Sequence, residues 1–479
     1  MKRLLIALIL TACSSNKTPV VEPTPNVSTP TPTPTASPTP TPSPTPPQTG
    51  KSVLALVDQE KPLAGKTPQT KASLDLVLAR GEVVGWILDV KQVPTNPIAP
   101  PQGIKVDLFA MPTVKISKPT AKIFPAGDYY DPLVPEAKLA KGYNWIDITI
   151  DRGIMSGSYS FSIGDLPVNI KVLAKAIPEK PSVPLYVGLS PSGLIAGHKL
   201  DPNMGLEEMI ALTQPYVDML RAHRIEPYGA WITDPPVKTD GSLDTSKGGM
   251  ATLTLNGLAG PDMVSHQPKN LAYLKGAAKI PGAWGYMWDE PGPSEFPEMI
   301  KYLKLAKQAG LKTMVTTVPT PELRPLIDYF TIPFQEFDPK NTAPNYWLYG
   351  ACPSHGCDGS GQLNGTPDIM IDQPSIHARV FPIMGYALGG KAVLYYESIY
   401  SYYAGKKDPW VDQYAFGGNG DGNLVYPDKT SRKPISSIRL KQLRQGMFDI
   451  EYLLGTKQTL IKDAFTWSKA MSDYQNLRK

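Results

Sequence analysis

An all-β sandwich followed by a (β/α)8 TIM-like barrel is the fold the sequence predicts, and two observations carry it. From about Lys51 to Ala176, apolar and polar residues alternate at period two between Gly/Pro punctuation, with no convincing helix. Past the stiff connection Ile177-Pro178-Glu179-Lys180-Pro181, strand-like runs alternate with helical periodicity instead. With 479 residues the chain is too long for one ordinary domain. A sandwich over 51–176, a barrel over 182–460 and a tail at 461–479 are therefore expected.

The sandwich rests on Glu82–Val90, Ile104–Phe109 and Val168–Ala174, all rich in β-branched and apolar residues. Ile146, Ile148 and Ile150 alternate with Asp147 and Thr149, and Tyr159, Phe161 and Ile163 alternate with serines. For the barrel, eight strands are expected: Leu185–Leu189, Pro227–Thr233, Thr252–Asn256, Gly285–Trp288, Thr313–Val318, Phe330–Phe334, Asn345–Ala351 and Ala392–Ser398. A helix over Leu206–His223 puts Leu206, Met209, Ile210, Val217 and Leu220 on one face, with a kink at Pro215. Another, from about Glu295 to Ala309, starts after Ser294 as N-cap, turns Met299, Ile300, Leu303 and Ala306 inward, and stops at Gly310.

The N-terminus reads differently. Met1-Lys2-Arg3 and the apolar run Leu4–Leu10, too short to span a bilayer, form a signal-peptide pattern over 1–13. Leu10-Thr11-Ala12-Cys13 resembles the lipobox of bacterial lipoproteins, which implies lipidation of Cys13 and a membrane anchor. Ser14 in the next position favours, by the same resemblance, an outer-membrane lipoprotein facing the periplasm or the cell surface. Residues 14–50 are a Pro/Thr-rich stalk with almost nothing to bury. As polyproline II, its 30 or so central residues would reach roughly 90 Å.

Composition and motifs exclude several functions. A net charge of +5 with no basic cluster interleaved with aromatics argues against nucleic acid. The five histidines show no helical metal-ligand spacing, so no metal or cofactor is expected, and there is no nucleophile elbow or Walker loop. Gly418-Asn419-Gly420-Asp421-Gly422 comes too late in the chain to open a nucleotide-binding βα turn and reads as a tight loop. Cys352 and Cys357 are expected to form a disulfide in an oxidising compartment; a zinc site with His355 is the alternative, but no fourth ligand lies nearby.

Barrel enzymes carry their chemistry at the carboxyl ends of strands. The fourth strand ends in Tyr286-Met287-Trp288-Asp289-Glu290-Pro291. Successive strand side chains point to opposite faces, so both acids reach one pocket only if the strand ends and bends there. Pro291 is expected to keep Glu290 extended. Crowding two carboxylates drives their pKa values apart, which separates an acid from an anion. The plainer reading, that they complement the next helix's dipole, is already filled by Ser294, Glu295 and Glu298.

A resemblance then appears. Gly420-Asp421-Gly422-Asn423-Leu424-Val425-Tyr426-Pro427, Pro434–Leu440 and Leu443–Leu453 together resemble the C-terminal signature of glycoside hydrolase family 123. Asn345–Tyr349, Arg379 and Leu394-Tyr395-Tyr396 precede it in the expected order, and Asp289-Glu290-Pro291 matches the family's catalytic pair. The resemblance implies a retaining attack on β-linked N-acetylhexosamine, notably N-acetylgalactosamine, in which the sugar's own acetamido oxygen is the nucleophile. Asp289 would orient the acetamido group, and Glu290 would act as acid and base. Trp288, Trp347, Tyr349 and Tyr396 are candidate sugar-contacting aromatics, each with core packing as the plainer reading. Asp421 is a candidate for binding a sugar hydroxyl, an Asx turn being its alternative. Arg439 and Arg444 are expected in a buried ion-pair network of the last helix with Asp449 and Glu451. Tyr396 stands where relatives often carry Trp, and Pro382-Ile383 replaces an aromatic, which leaves the exact sugar and exo or endo action open. A non-catalytic sugar-binding lipoprotein and a glycosidase for non-acetylated or polymeric amino sugars remain alternatives; oligomeric state is also open.

Overall fold

Eight antiparallel strands build the larger sheet, in the order Thr70–Lys71, Val53–Leu56, Val83–Val90, Gly142–Ile150, Ile104–Ala110, Pro132–Glu136, Pro434–Ser437 and Val425–Pro427. The structure is a computed structural model that describes residues 50–63, 66–229, 238–244, 271–350, 367–402 and 408–454. A smaller sheet, Gly157–Ile163, Leu166–Ala176 and Leu74–Arg80, packs against it. The expected alternation explains the contact: Ile146, Ile148 and Ile150 meet Leu74, Leu76, Val168 and Ile170 in one buried cluster.

The polar half of that alternation is buried too. Asp147 is 4 % exposed because the last helix, Ile438–Leu453, covers the sheet's other face. Arg444 grips Asp147 with two hydrogen bonds of 2.6 and 2.9 Å, and Lys441 adds a third at 2.6 Å. The large sheet also draws in two strands from the far end of the chain, with Ser436 paired to Leu133.

The parallel half corrects the expectation of a (β/α)8 barrel. Among the described residues there are seven parallel strands, in the order Glu226–Tyr228, Leu185–Gly188, Val393–Tyr395, Trp347–Tyr349, Tyr329–Pro333, Lys312–Thr316 and Trp284–Asp289. Among the described residues they form a curved seven-stranded sheet, a half-barrel; the expected strand Thr252–Asn256 lies outside the described residues. Six α-helices are described, in place of one after each strand: Pro191–Gly197, Leu206–Ala222, Leu271–Ala278, Phe296–Ala309, Ile376–Ala387 and Ile438–Leu453. The physical reason for two missing helices is proline. Pro319, Pro321 and Pro325 fill one connection, and Pro339 and Pro344 the next, and each removes a helical N–H.

Both faces of the curved sheet are covered, which suits near-continuous apolar strands. Val187, Met287, Val315, Leu348 and Val393 pack on the helix side. Tyr186, Tyr228, Trp284, Tyr286, Met314, Trp347 and Tyr349 fill the concave side with aromatic rings. The helix Phe296–Ala309 buries Met299, Leu303 and Ala306 as expected and ends at Gly310, whose φ of 79° is the left-handed cap a glycine supplies without strain. Its start differs: Ser294 lies within a short 3-10 turn, Pro293–Glu295, that leads into the helix, and Glu295 closes that turn by accepting the Gly292 N–H at 2.8 Å.

Candidate active site

Alternation alone would bury Asp289 on the wrong side. Trp284 and Tyr286 face the concave side and Met287 the helix side, so Asp289 would be expected beside Met287. Instead, Tyr286 pairs with Met314 but Trp288 pairs with Val315, so one extra residue is inserted opposite the neighbouring strand. This β-bulge resets the parity. Asp289 then lies opposite Thr316, on the face of Tyr286, and the Tyr286 hydroxyl donates to its Oδ1.

Glu290 reaches the same side by a second device. Its φ is 46°, a left-handed backbone that costs a non-glycine residue about 1–3 kcal/mol. This corrects the expectation that Pro291 keeps Glu290 extended. The turn is secured because the Glu290 N–H donates to Thr316 Oγ1 at 2.8 Å, while the Thr316 hydroxyl donates to Asp289 Oδ1 at 2.8 Å. The Tyr349 hydroxyl, at the end of a strand two places farther across the concave sheet, donates to Glu290 Oε1 at 2.8 Å. Both acids stand open to solvent on a floor of buried rings.

Burial, and then the two carboxylates, raise the hydroxyls that hold them. Burial pushes Tyr286 well above the usual phenol range and Asp289 adds to it. Burial does the same for Tyr349, followed by Glu290 and Asp289. Both phenols therefore stay protonated as donors at ordinary pH. Tyr228 is raised by burial, Glu397 and Asp289 in that order, and donates to the Tyr396 carbonyl at 3.0 Å.

The other candidates fall in different places. Trp288 is half-buried, tilted over Tyr302, with its Nε1 donating to Glu295 at 3.2 Å. Trp347 is inside the concave cluster, stacked between Tyr186 and Tyr329 at 4.9 Å on either face. Tyr349 belongs to that cluster but presents its hydroxyl to Glu290. Tyr396 is half-buried among the rings of Tyr395, Tyr400 and Phe416. Asp421 is fully buried and accepts from the Tyr395 hydroxyl at 3.1 Å. Cys13, Cys352 and Cys357 lie outside the described residues.

Sequence reasoning missed Thr316, Tyr286, Tyr228 and Glu397. Glu397 was findable, since it follows the Val393–Tyr395 strand as Asp289 closes its own. It is buried, with the Ser190 hydroxyl at 2.6 Å and the Ser398 N–H at 2.7 Å. Thr316 carried no motif signal beyond its place at a strand end.

Adjacent carboxylates, each oriented by hydroxyls at an open strand end, can support proton transfer and stabilise a developing positive charge. Residues 335–454 match the model of the glycoside hydrolase 123 catalytic domain. Over that stretch the chain is similar to the catalytic domain of glycoside hydrolase family 123. It is a glycoside hydrolase, and the matched stretch includes Tyr349, Tyr396, Glu397, Asp421 and the last helix. In three dimensions the chain is similar to a family 123 glycoside hydrolase from Clostridium perfringens, described for glycolipid glycan hydrolysis. The TM-score is 0.58 at 11 % identity, over 85 % of this chain and 93 % of that one. At that identity the likeness speaks for the fold. No curated protein matches the chain.

Proposed function

We propose that this glycoside hydrolase cleaves β-linked N-acetylhexosamine, N-acetylgalactosamine by preference, through a retaining, substrate-assisted mechanism. The observation that supports it best is the bulge and left-handed turn that bring adjacent acids to one side of the sheet. An enzyme nucleophile and a separate acid usually flank the bond about 5 Å apart. Here one consecutive pair suffices if the sugar supplies the nucleophile. Asp289 accepts the acetamido N–H and aims its oxygen at the anomeric carbon. As that C–O bond forms, the glycosidic bond breaks and Glu290 protonates the departing oxygen. Glu290 then takes a proton from water, which attacks the anomeric carbon, opens the oxazolinium ring and restores the acetamide with retained configuration.

The test is hydrolysis of matched chromogenic substrates with and without the acetyl group. The acetylated sugar should be cleaved and its free 2-amine counterpart should resist. Equal rates would overturn substrate assistance and favour the amino-sugar reading.

The anchor belongs to the same proposal: Cys13 is lipidated and tethers the enzyme to the outer membrane. Cys13→Ala should abolish fatty-acid labelling and release the protein from membranes; persistent labelling would sink this part alone.

A further inference from the structure

We infer that Thr316 is a positioning residue for the glycosidase reaction, holding Asp289 and Glu290 in working alignment through a single hydroxyl. The inference rests on the reading of those two acids as the working pair.

A threonine hydroxyl has one proton to give and lone pairs to receive with. At Thr316 the proton goes to Asp289 Oδ1 at 2.8 Å, and the oxygen takes the Glu290 N–H at 2.8 Å. One atom thus ties the side chain of the first acid to the backbone of the second. The Tyr286 hydroxyl, which also donates to Asp289, lies 3.3 Å from the same oxygen. Thr316 is 2 % exposed and ends a strand whose register against Asp289 is fixed by the ladder, and its β-branch restricts rotation. The hydroxyl cannot easily follow if the acids move.

What it restrains is the least relaxed point of the site. A left-handed backbone at a non-glycine residue persists only where its surroundings over-determine it. Without the Thr316 acceptor, the Glu290 N–H loses its anchor and the turn can relax. That would swing the Glu290 carboxyl away from the Tyr349 hydroxyl while Asp289 loses one of its donors. Displacements of about 1 Å in catalytic groups cost on the order of 10²-fold in rate.

The experiment compares Thr316→Val and Thr316→Ser in the full chain, with Asp289→Asn and Glu290→Gln beside them. Each is assayed on nitrophenyl β-N-acetylgalactosaminide and β-N-acetylglucosaminide, with rates normalised to the folded fraction by circular dichroism. Valine keeps the shape and deletes the hydroxyl, so kcat should fall about 10- to 100-fold with KM little changed. Serine should restore most of the loss. Calorimetric affinity for a thiazoline mimic of the intermediate should fall with kcat in the valine variant and recover with serine. A merely structural role would lower stability without that pattern. Wild-type kcat and thiazoline affinity in Thr316→Val, alongside crippled Asp289→Asn and Glu290→Gln, would overturn the Thr316 role and leave the pair standing. Serine as impaired as valine would likewise overturn it. Full activity in Asp289→Asn and Glu290→Gln would instead remove the reading of the pair, and this inference with it.

Discussion

Carboxylates are held in two different ways in this molecule. Along the last helix they meet cations. Arg439 clasps Asp131 at 2.9 and 3.0 Å, Arg444 and Lys441 hold Asp147, Arg379 reaches Asp449 at 3.0 Å, and Arg224 meets Glu451 at 2.9 Å. All these groups are buried. At the concave rim, Asp289 and Glu290 are exposed, and hydroxyls of Tyr286, Thr316 and Tyr349 donate to them. A buried cation ties a carboxylate to its ionised form. A neutral hydroxyl orients it with far less bias, which suits a group that must give and take a proton. The first arrangement ties the last helix to the antiparallel sheet and to the helices beside it; the second prepares chemistry.

The largest expected effect comes from breaking the first arrangement. Burial alone would raise the Asp147 carboxyl, but Arg444 and Lys441 overcome it and hold it well below the usual range. Asp147→Asn strands two cations with about 4 % exposure each, a loss of about 3–5 kcal/mol. Urea unfolding should show it, with kcat of the folded fraction nearly unchanged. Because the folded-state pKa is depressed, the stabilisation is present above the unfolded value of 3.8 and fades as pH falls through the depressed one. Wild-type stability in Asp147→Asn would mean the ion pairs do not hold the helix to the sheet.

A somewhat smaller effect is expected at a buried carboxyl of a third kind. Burial raises Asp368 from 3.8 to about 7, with the nearby Gln373 amide opposing the rise. A raised folded-state value reverses the sign. Stability is fully present below pH 3.8 and is lost as pH rises through about 7, by up to about 4 kcal/mol. Asp368→Asn, fixed in a neutral form, should flatten the stability profile between pH 4 and 8. An unchanged slope there would place the titration elsewhere.

The contrast between the two regions was only partly legible in the sequence. Strand positions were, because apolar runs bounded by Gly and Pro mark them whatever surrounds them. So was the acid pair, which sits at the end of such a run. The half-barrel was not: periodicity read a closed (β/α)8 barrel and assumed helices where proline-rich connections stand. Nor was the bulge: nothing in Gly285-Tyr286-Met287-Trp288-Asp289 marks an extra residue, which exists only relative to the neighbouring strand. Arg444 was expected near Asp449, but residues five apart on a helix do not share a face. Its partner is Asp147, almost 300 positions earlier. Trp347 is a candidate sugar contact in the sequence with core packing as its plainer reading, and the rings of Tyr186 and Tyr329 stacked on it put it in the core.

The smallest effect tests the second arrangement at its simplest point. Tyr349→Phe removes one hydroxyl and leaves a ring packed in the concave cluster, where Tyr349 is 3 % exposed. A hydrogen bond to a charged group contributes about 1.5–3 kcal/mol, but the Glu290 carboxylate is exposed and water can replace part of it. About a tenfold fall in kcat is therefore expected, with denaturant stability close to wild type. The pattern is the mirror image of Asp147→Asn, where stability falls and turnover per folded molecule does not. Losing the Tyr349 donor also makes the ionised form of Glu290 less favourable, so the loss should be greatest where that form must act as base on water. A substrate with an activated leaving group, whose second step limits turnover, should reveal it most clearly. If Tyr349→Phe instead lowers stability and leaves kcat untouched, its hydroxyl serves packing, and the division between structural cations and catalytic hydroxyls fails at the residue where it is easiest to measure.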